Sequence, residues 1–548
     1  MVKNKKFLFI VAFLVFSLLL VACGNGDDTE VATDDAGTEV AGGDTDATDT
    51  DGPSAGGGGI GASGESDEVI VAIGGEIPTL DPHGANMQAA SQVNIHVLET
   101  LVNQDDNLEI YPNLATSWEQ IDEQTWRFYL REDVYFHNGD HMTASDVAFS
   151  ITRAAEAPMV APVMGMIDTD SIEIIDDYTI VIGTNYPFAP LLSHLTHRAG
   201  SILSADAMGD VPGGPDTDFE LIVGTGPYQV AENIAGDRIV MERWDDWHGE
   251  LPNMRRITYR ITPDAAARTF AIETGDVDII MNPAPADIAR LEAEPNVNVP
   301  QTPSLQTEYV AFNTERVDDV LVRQAINYAL DIPMIVDVIT EGVSVPAIGY
   351  VVEMAFGHNP DFEPVPFNME RARELMIEAG HSGEEGANDL TIEIMANTEN
   401  NARMQSAEII ANQLDQIGIN IDIVTMEFNT MNEDFIQQGL HDMATLGWTT
   451  VTGDADYALF PLFHSESSTN HSNFNNAEFD DLIERARASS DPAERQELYN
   501  EAQEILREES PWILMSTGTV RLPAQTNVGG IVVMPHQSHF FGNIYFTD

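Results

Sequence analysis

Cysteine is almost absent from this 548-residue chain, which contains only one, Cys23. A single cysteine excludes an internal disulfide framework. It directly follows an apolar run from Phe7 to Ala22, and that run follows lysines at positions 3, 5 and 6. A basic head, an apolar stretch of about 15 residues and small residues at its end are typical of an export signal. The stretch is shorter than the roughly 20 residues that a membrane-spanning helix needs.

The ending Leu20-Val21-Ala22-Cys23 resembles a bacterial lipobox. In that class of signals the peptide is cut before the cysteine, and the cysteine sulfur then carries a lipid. We therefore predict a lipoprotein signal peptide over residues 1–22 and lipidation at Cys23. The mature protein is then expected on the extracytoplasmic face of the cell membrane, held by its lipid. The alternative is an ordinary secretory signal that happens to be followed by a cysteine.

Lysine is missing from the whole chain after position 6, and basic residues of any kind are scarce. The sequence has 24 Lys and Arg against 90 Asp and Glu, which gives a net charge of -66. Such a charge repels nucleic acid and anionic lipid headgroups, so nucleic acid is not an expected partner. It also destabilises the compact state unless salt screens it, and the screening length falls from about 10 Å at 0.1 M to about 3 Å at 1 M. We interpret the composition as that of an exported protein adapted to high salt.

Aromatic residues are absent between Gly24 and about Asp67, and large aliphatic residues are rare there. A segment of Gly, Ala, Thr, Ser and Asp cannot bury enough apolar surface to offset the entropy lost on ordering. We therefore predict a disordered acidic tether over residues 23–67.

The remainder alternates between strand and helix signals, which predicts an α/β fold. Thr391–Ala396 is a predicted strand, Ala402–Ile417 a predicted helix and Ile419–Met426 a predicted strand. These three elements form one βαβ unit, whose strands should be parallel. Met443–Gly447 is a further short strand. Ligands of open α/β sheets bind beyond the carboxyl ends of strands, so the loops after the first and last of these strands are candidates for a binding site.

Three helices are predicted from local signals. One runs from about Asn86 to Val102, and a second begins after Thr143, its predicted N-cap. The third runs over Ala493–Glu509, where Asp491-Pro492 supplies a cap and a first-turn proline.

Motifs of catalysis are also missing. The sequence contains neither a Gly-x-Ser-x-Gly elbow nor a His-Glu-x-x-His motif. Its 14 histidines are scattered, and the close pair His137 and His141 flanks a turn signal rather than lying on a helix. We expect no catalytic residue, no metal site and no cofactor, and hence no enzyme. A glycosidase-like pair of carboxylates and a surface-anchored hydrolase of unrecognised type stay open as alternatives.

Several blocks of sequence resemble the extracellular solute-binding proteins of family 5, the peptide-binding branch of ATP-driven importers. They are Trp118, Thr125–Arg131, Val134–Gly139, Thr143–Val147, Gly224–Tyr228, Gly275–Asp278 and Val322–Asp331. The likeness covers nearly everything from Val69 to the C-terminus. It implies a two-lobed clamshell of the type II periplasmic-binding-protein kind, in the large three-domain variety. It also implies a monomer that delivers a small peptide to the permease and ATPase subunits of an ABC transporter.

The resemblance implies a division of the chain into three domains. The core of lobe I is expected to combine residues 68–110, 222–305 and 512–548. An inserted domain of the same lobe is expected at 111–221, and lobe II at 306–511.

The resemblance also implies where the ligand binds. The expected contacts are Trp448, Thr449, Asp454, Asp456, Arg403, Asn397 and Thr398. In dipeptide binders of the family an aspartate about three residues after the tryptophan holds the peptide's α-ammonium, and this chain has Val451 there. The run from Gly447 to Leu459 is more similar to that of the glutathione-binding members.

Three of these contacts have alternative interpretations. Asp454 and Asp456 can hold an ammonium group, or they can cap the helix that begins near Tyr457. Arg403 can hold a carboxylate, or it can be a surface arginine at the start of a helix. The expected ligand is glutathione or a similar short peptide. Other dipeptides or oligopeptides, nickel, a sugar or another solute are the alternatives.

Overall fold

A computed structural model describes residues 67–547 except 76, 78, 85–86 and 215–216. The predicted signal peptide, Cys23 and nearly all of the predicted tether lie outside the described residues. In the described part, no helix combines the length and the apolar character that crossing a membrane requires.

The first large sheet has seven strands and mixes parallel with antiparallel pairing. In spatial order its strands are β12 (Val297–Asn298), β19 (Ala524–Gln525), β11 (Ile279–Ile280), β1 (Glu68–Ile73), β10 (Arg256–Ile261), β9 (Arg238–Arg243) and β8 (Tyr228–Ile234). Strand β1 is parallel to both of its neighbours, and the strands beyond them run antiparallel. The centre of the sheet is apolar on both faces, since Val69 and Val71 pack in one core while Ile70 and Ala72 pack in another.

The second large sheet has six strands. In spatial order they are β14 (Val345–Pro346), β18 (Trp512–Arg521), β13 (Gln301–Phe312), β17 (Met443–Thr449), β15 (Leu390–Asn397) and β16 (Ile419–Met426). Strand β15 is parallel to both β16 and β17, as the βαβ pattern predicts. The carboxyl ends of these three strands therefore share one edge of the sheet.

A third sheet of four antiparallel strands lies between β3 and β8 in the chain. Its order is β4 (Ala115–Asp122), β5 (Thr125–Leu130), β7 (Thr179–Thr184) and β6 (Ile167–Asp176). Two hairpins complete the strands, β2 (Val102–Gln104) with β3 (Ile110–Pro112), and β20 (Val528–Gly529) with β21 (Tyr545–Phe546).

The described chain contains fifteen α-helices, which cover the sheets. They are α1 (Gln88–Val97), α2 (Ala144–Glu156), α3 (Ala161–Met164), α4 (Leu191–Leu195), α5 (Ala205–Met208), α6 (Ala265–Thr274), α7 (Ile288–Ala293), α8 (Val320–Ala329), α9 (Ile332–Thr340), α10 (Met369–Glu378), α11 (Asn401–Leu414), α12 (Phe428–Thr430), α13 (Asp456–Phe463), α14 (Ala477–Ala488) and α15 (Pro492–Glu509). A 3₁₀ turn at Arg198–Gly200 follows α4.

Local chemistry explains where many helices begin. Thr143 opens α2 with a capping box, in which the Asp146 carboxylate accepts a hydrogen bond from the Thr143 backbone N–H at 2.9 Å. Asp491 caps α15 and Pro492 occupies its first turn, where a missing N–H costs nothing. These caps are short-range features, and their positions agree with the sequence prediction.

The two large sheets are joined by short crossings of the chain. Strand β12 ends at Asn298 and β13 begins at Gln301, while β18 ends at Arg521 and β19 begins at Ala524. The protein is thus a two-lobed clamshell, as its sequence indicates. Strand β18 pairs with β13 and β14, so residues 512–521 belong by pairing to the six-stranded sheet and not to the seven-stranded one. The other domain boundaries stay predictions.

Candidate functional site

A cavity of about 290 Å³ lies where the carboxyl end of β17 meets α1 and the first hairpin. Its walls come from widely separated parts of the chain, which only the fold brings together. The lining residues are Gln88, Ser91, Asn103, Gln104, Thr196, His197, Arg198, Gly447, Trp448, Thr449, Val451, Tyr457, His536 and Ser538. Amides, hydroxyls and imidazoles dominate this lining, with two aromatic rings, which suits a small polar ligand.

Trp448 and Thr449, the last two residues of β17, both line this cavity. The indole N–H of Trp448 donates a hydrogen bond of 2.8 Å to the carbonyl oxygen of Tyr457. The two rings also lie 5.2 Å apart between centroids, at an angle of 34°. These contacts hold Trp448 as a half-buried aromatic wall whose orientation does not depend on a ligand.

Arg403 does not line this cavity but lies directly behind its floor. Its Nε and Nη2 atoms are 2.8 and 3.2 Å from the Glu308 carboxylate, and its Nη1 donates to Asn397 Oδ1 at 3.3 Å. The pair packs against Gly447, where a Cβ atom would lie 2.5 Å from Arg403 Nη2 and 2.6 Å from Glu308 Oε1. The Arg403 side chain is only 15% exposed, so it is not a solvated surface arginine.

Arg403 instead borders a second cavity of about 280 Å³ together with Glu308 and Asn400. The predicted contact Asn397 is buried and bonded to Arg403, and its amide also donates to Glu399 at 3.1 Å. Thr398 is exposed, with its backbone N–H bonded to the carbonyl oxygen of Met426. Ligand contact by these three residues stays a prediction.

Asp454 is 3% exposed and forms an internal ion pair. Its two carboxylate oxygens lie 2.8 and 2.9 Å from Nη2 of Arg495. One of them also accepts the backbone N–H of Asp456, the first residue of α13, at 2.9 Å. Asp454 thus bonds the first residue of α13 from the position before the N-cap, which is Ala455 and has no side-chain cap, and its carboxylate is already paired with Arg495.

Asp456 is 2% exposed and also lies against a buried arginine, but without the hydrogen-bond geometry of the Asp454 pair. Its Oδ1 lies 2.8 Å from Nε of Arg487, and its Oδ2 lies 3.8 Å from Nε2 of His194. Burial raises the pKa of this carboxyl, and the charge of Arg487 opposes the rise. The Arg487 guanidinium also lies over the ring of Phe460, 3.6 Å from its centroid. As with Asp454, a ligand would have to displace a buried internal partner to reach this group.

Arg198 is the residue of the cavity that sequence reasoning missed. It stands on the 3₁₀ turn before β8, and its Nη2 donates two long hydrogen bonds, to Asn103 Oδ1 at 3.4 Å and to the Thr196 carbonyl at 3.3 Å. Within the described residues it has no carboxylate inside ion-pair distance. Burial lowers its pKa to about 10. No local pattern around Arg198 signals this environment, because it depends on segments distant in the chain.

Two histidines line the cavity beside Arg198. Burial, together with the charge of Arg198, lowers the pKa of His197 to about 3 and that of His536 to about 4. Both rings are therefore neutral at pH 7 and leave Arg198 as the charged group of the lining. No group of three or more His, Cys, Asp or Glu side chains in the described part of the chain is placed to hold a metal ion.

Two lobes with a polar cavity lined by residues from both are typical of proteins that bind a small solute. The fold and the cavity therefore place this protein in the class of solute-binding proteins. The model of the family described as "Bacterial extracellular solute-binding proteins, family 5 Middle" matches residues 109–470. The chain belongs to this family.

Two curated relatives show how far the similarity extends. The chain is 31% identical to the dipeptide-binding protein of Escherichia coli K12 over 464 residues, which cover 80% of this chain and 86% of that protein. It is 28% identical to the glutathione-binding protein GsiB of the same strain over 488 residues, covering 86% and 93%.

Solved structures agree on the fold. HbpA2 from Haemophilus parasuis superposes with a TM-score of 0.78 at 28% identity, covering 88% of this chain and all of that one. The ABC transporter-associated binding protein DppA from Helicobacter pylori, solved with the peptide STSA, gives a TM-score of 0.73 at 27% identity, covering 87% and 98%.

Proposed function

We propose that this protein is the lipid-anchored substrate-binding subunit of an ABC importer and that it captures a short peptide in the cavity beside Trp448. Glutathione or a peptide of similar size is the first candidate ligand. The ligand is handed to a membrane permease that an ATPase subunit drives. Binding is not accompanied by chemical conversion of the peptide.

The observation that carries the proposal is the cavity itself. It combines an aromatic wall at Trp448 with hydrogen-bonding groups from both lobes, which is the chemistry a peptide backbone requires. Its volume of about 290 Å³ is at the lower end of the range for small-molecule sites, which favours a short ligand. The relatives support the same class of ligand, because their names describe binding of dipeptides and of glutathione.

Within the predicted site we assign direct contact to Trp448 and Thr449, which line the cavity. Arg403 can reach a ligand only if the Glu308 carboxylate is displaced, and the same holds for Asp454 with respect to Arg495. We therefore assign Arg403, Asp454, Asp456 and Asn397 in the ligand-free protein to the support of the strand ends that carry the cavity wall, while ligand contact by Thr398, which is exposed, stays a prediction.

Calorimetric titration with glutathione, dipeptides and tetrapeptides tests the peptide proposal. Wild-type protein should bind at least one of them, and chromatography should recover the peptide intact. Trp448→Leu should weaken binding by about tenfold or more, because stacking and burial at the wall are lost. Trp118→Leu is a matched control, since Trp118 is also a half-buried strand tryptophan but lies in the four-stranded sheet. Equal loss in both variants, or no peptide binding by wild-type protein, contradicts the proposal.

The lipid anchor is tested separately in cells. Cys23→Ser should leave the protein uncut or release it from the membrane fraction, whereas wild-type protein should stay membrane-bound. A Cys23→Ser protein that is cut at the same place and still membrane-bound would overturn the anchor.

A further inference from the structure

Some N–H donors of the Arg198 guanidinium have no hydrogen-bond partner among the described residues. A guanidinium carries five N–H donors, and the hydrogen bonds of Arg198 to the protein all come from Nη2, at 3.3 and 3.4 Å. Among the described residues, Nε and Nη1 have no partner. Because the residue lines the cavity, these donors are available to a molecule that enters it.

Arg198 also lacks a directly paired carboxylate, unlike three other arginines of the chain, although the charge of Glu99 acts on it from beyond ion-pair distance. Arg403, Arg487 and Arg495 each have a carboxylate oxygen 2.8 Å away. Arg198 has none within 4.0 Å in the described part of the chain, and burial lowers its pKa to about 10, well below the usual arginine range. A half-buried charge with no directly paired counter-ion is only partly compensated, so a ligand that supplies a carboxylate at contact distance is favoured.

The groups next to Arg198 suit an anion as well. His197 and His536 are neutral at pH 7 and can each donate one hydrogen bond. Gln88, Asn103 and Ser538 add further donors to the same lining. Trp448 stands in the same cavity, so a ligand held at Arg198 is within reach of the aromatic wall.

We infer that Arg198 is the carboxylate-binding residue of the cavity and that it selects ligands with a free carboxylate. This inference rests on the proposed function and names the group by which the peptide is recognised. Arg198 is contributed by the 3₁₀ turn at 198–200, whereas Trp448 comes from the six-stranded sheet. A peptide held between them therefore bridges the two lobes, and its carboxylate orients it.

A double-mutant cycle between the protein and the ligand tests the inference. Affinities of wild-type protein and Arg198→Gln are measured by calorimetry for Ala-Leu, Ser-Thr-Ser-Ala and their C-terminal amides, and for glutathione with either carboxylate amidated. In wild-type protein, amidation of the recognised carboxylate should weaken binding by about 30-fold or more, as expected when one partner of a buried charged pair is removed. In Arg198→Gln the acid and the amide should bind within about threefold of each other, because the arginine that distinguishes them is gone.

Arg127→Gln is a charge-matched control, because Arg127 pairs with Glu119 on the surface of the four-stranded sheet. It should keep the wild-type preference for the acid. Arg198→Lys retains the charge without the planar pair of donors, and its preference should be intermediate. This variant also keeps the test decisive if Arg198→Gln folds poorly.

An equal loss for acid and amide in Arg198→Gln, or a wild-type protein that does not prefer acids, overturns the inference and leaves the proposed function standing. If wild-type protein binds none of the peptides, the proposed function fails and the inference fails with it.

Discussion

The buried pair of Asp454 and Arg495 leads to a prediction that separates a supporting role from ligand contact. In Asp454→Asn the shape of the side chain is kept but the negative charge is lost. The two contacts of 2.8 and 2.9 Å to Arg495 then lose their charge complement. Arg495 is held near the rings of Phe356 and Tyr499 and has no other carboxylate at ion-pair distance among the described residues.

The expected cost follows from burial, since Asp454 is 3% exposed and its partner is also buried. Breaking a buried ion pair by removing one member typically costs about 3–5 kcal/mol of unfolding free energy. Asp454→Asn keeps one hydrogen-bond acceptor, so we expect the lower end, about 3 kcal/mol. Peptide affinity in the folded variant should stay within about threefold of wild type, because Asp454 does not line the cavity.

Denaturant unfolding and calorimetric titration of the same preparations supply both numbers. Asp481→Asn is the matched control, because its pair with Arg485 joins side chains that are 66% and 55% exposed. Such a surface pair contributes less than about 1 kcal/mol. If Asp454→Asn is as stable as Asp481→Asn, the pair of Asp454 and Arg495 does not stabilise the fold. If it is stable but loses peptide binding tenfold, Asp454 contacts the ligand and the original ammonium-binding prediction is right.

Three further predictions concern the whole molecule and the floor of the cavity. The chain has 90 acidic and 24 basic residues, so the melting temperature should rise steeply from low to molar salt as charge repulsion is screened. A melting temperature that does not change with salt would refute the destabilising effect of this repulsion. His96 and His539 have folded pKa values lowered to about 3 by burial, so the unfolded state takes up protons first as the pH falls. Stability should therefore be constant above about pH 6.5 and fall between there and about pH 3, which a melting series at fixed salt will check. Gly447→Ala should lower stability and peptide affinity, because its Cβ would push into the Arg403–Glu308 pair, whereas Gly518→Ala, with its nearest atom 3.5 Å away, should change neither.

Much of the local structure could be predicted from the sequence. The cap at Thr143, the proline start of α15 and the parallel strands β15 and β16 all appear where the pattern places them. The first helix is the main local error, since a helix from about Asn86 to Val102 was expected and α1 ends at Val97. Leu98 already has extended backbone angles, and Val102 pairs in a hairpin with Pro112. Apolar periodicity alone does not distinguish a helix end from the strand that follows it.

The candidate site could be predicted only in part. The end of β17 was expected to carry ligand contacts, and Trp448 and Thr449 do line the cavity. Asp454 and Asp456, which follow β17, are instead buried inside the protein. Arg495 and Arg487, on later helices, lie next to their carboxylates. Nothing in the run around Asp454 indicates those partners.

Features with a local or compositional cause follow from the chain alone: where helices are capped, which strands are buried, the family of the chain and its acidic excess. Each of these depends on residues within a few positions or on composition. The tertiary structure alone decided which charges are compensated. Asp454 and Arg403 form ion pairs inside the protein, whereas Arg198 has no carboxylate within 4.0 Å among the described residues and lies beside neutral groups of the cavity lining. The reason is physical: an ion pair depends on distances of a few ångströms between side chains, and folding sets those distances between residues that are remote along the chain.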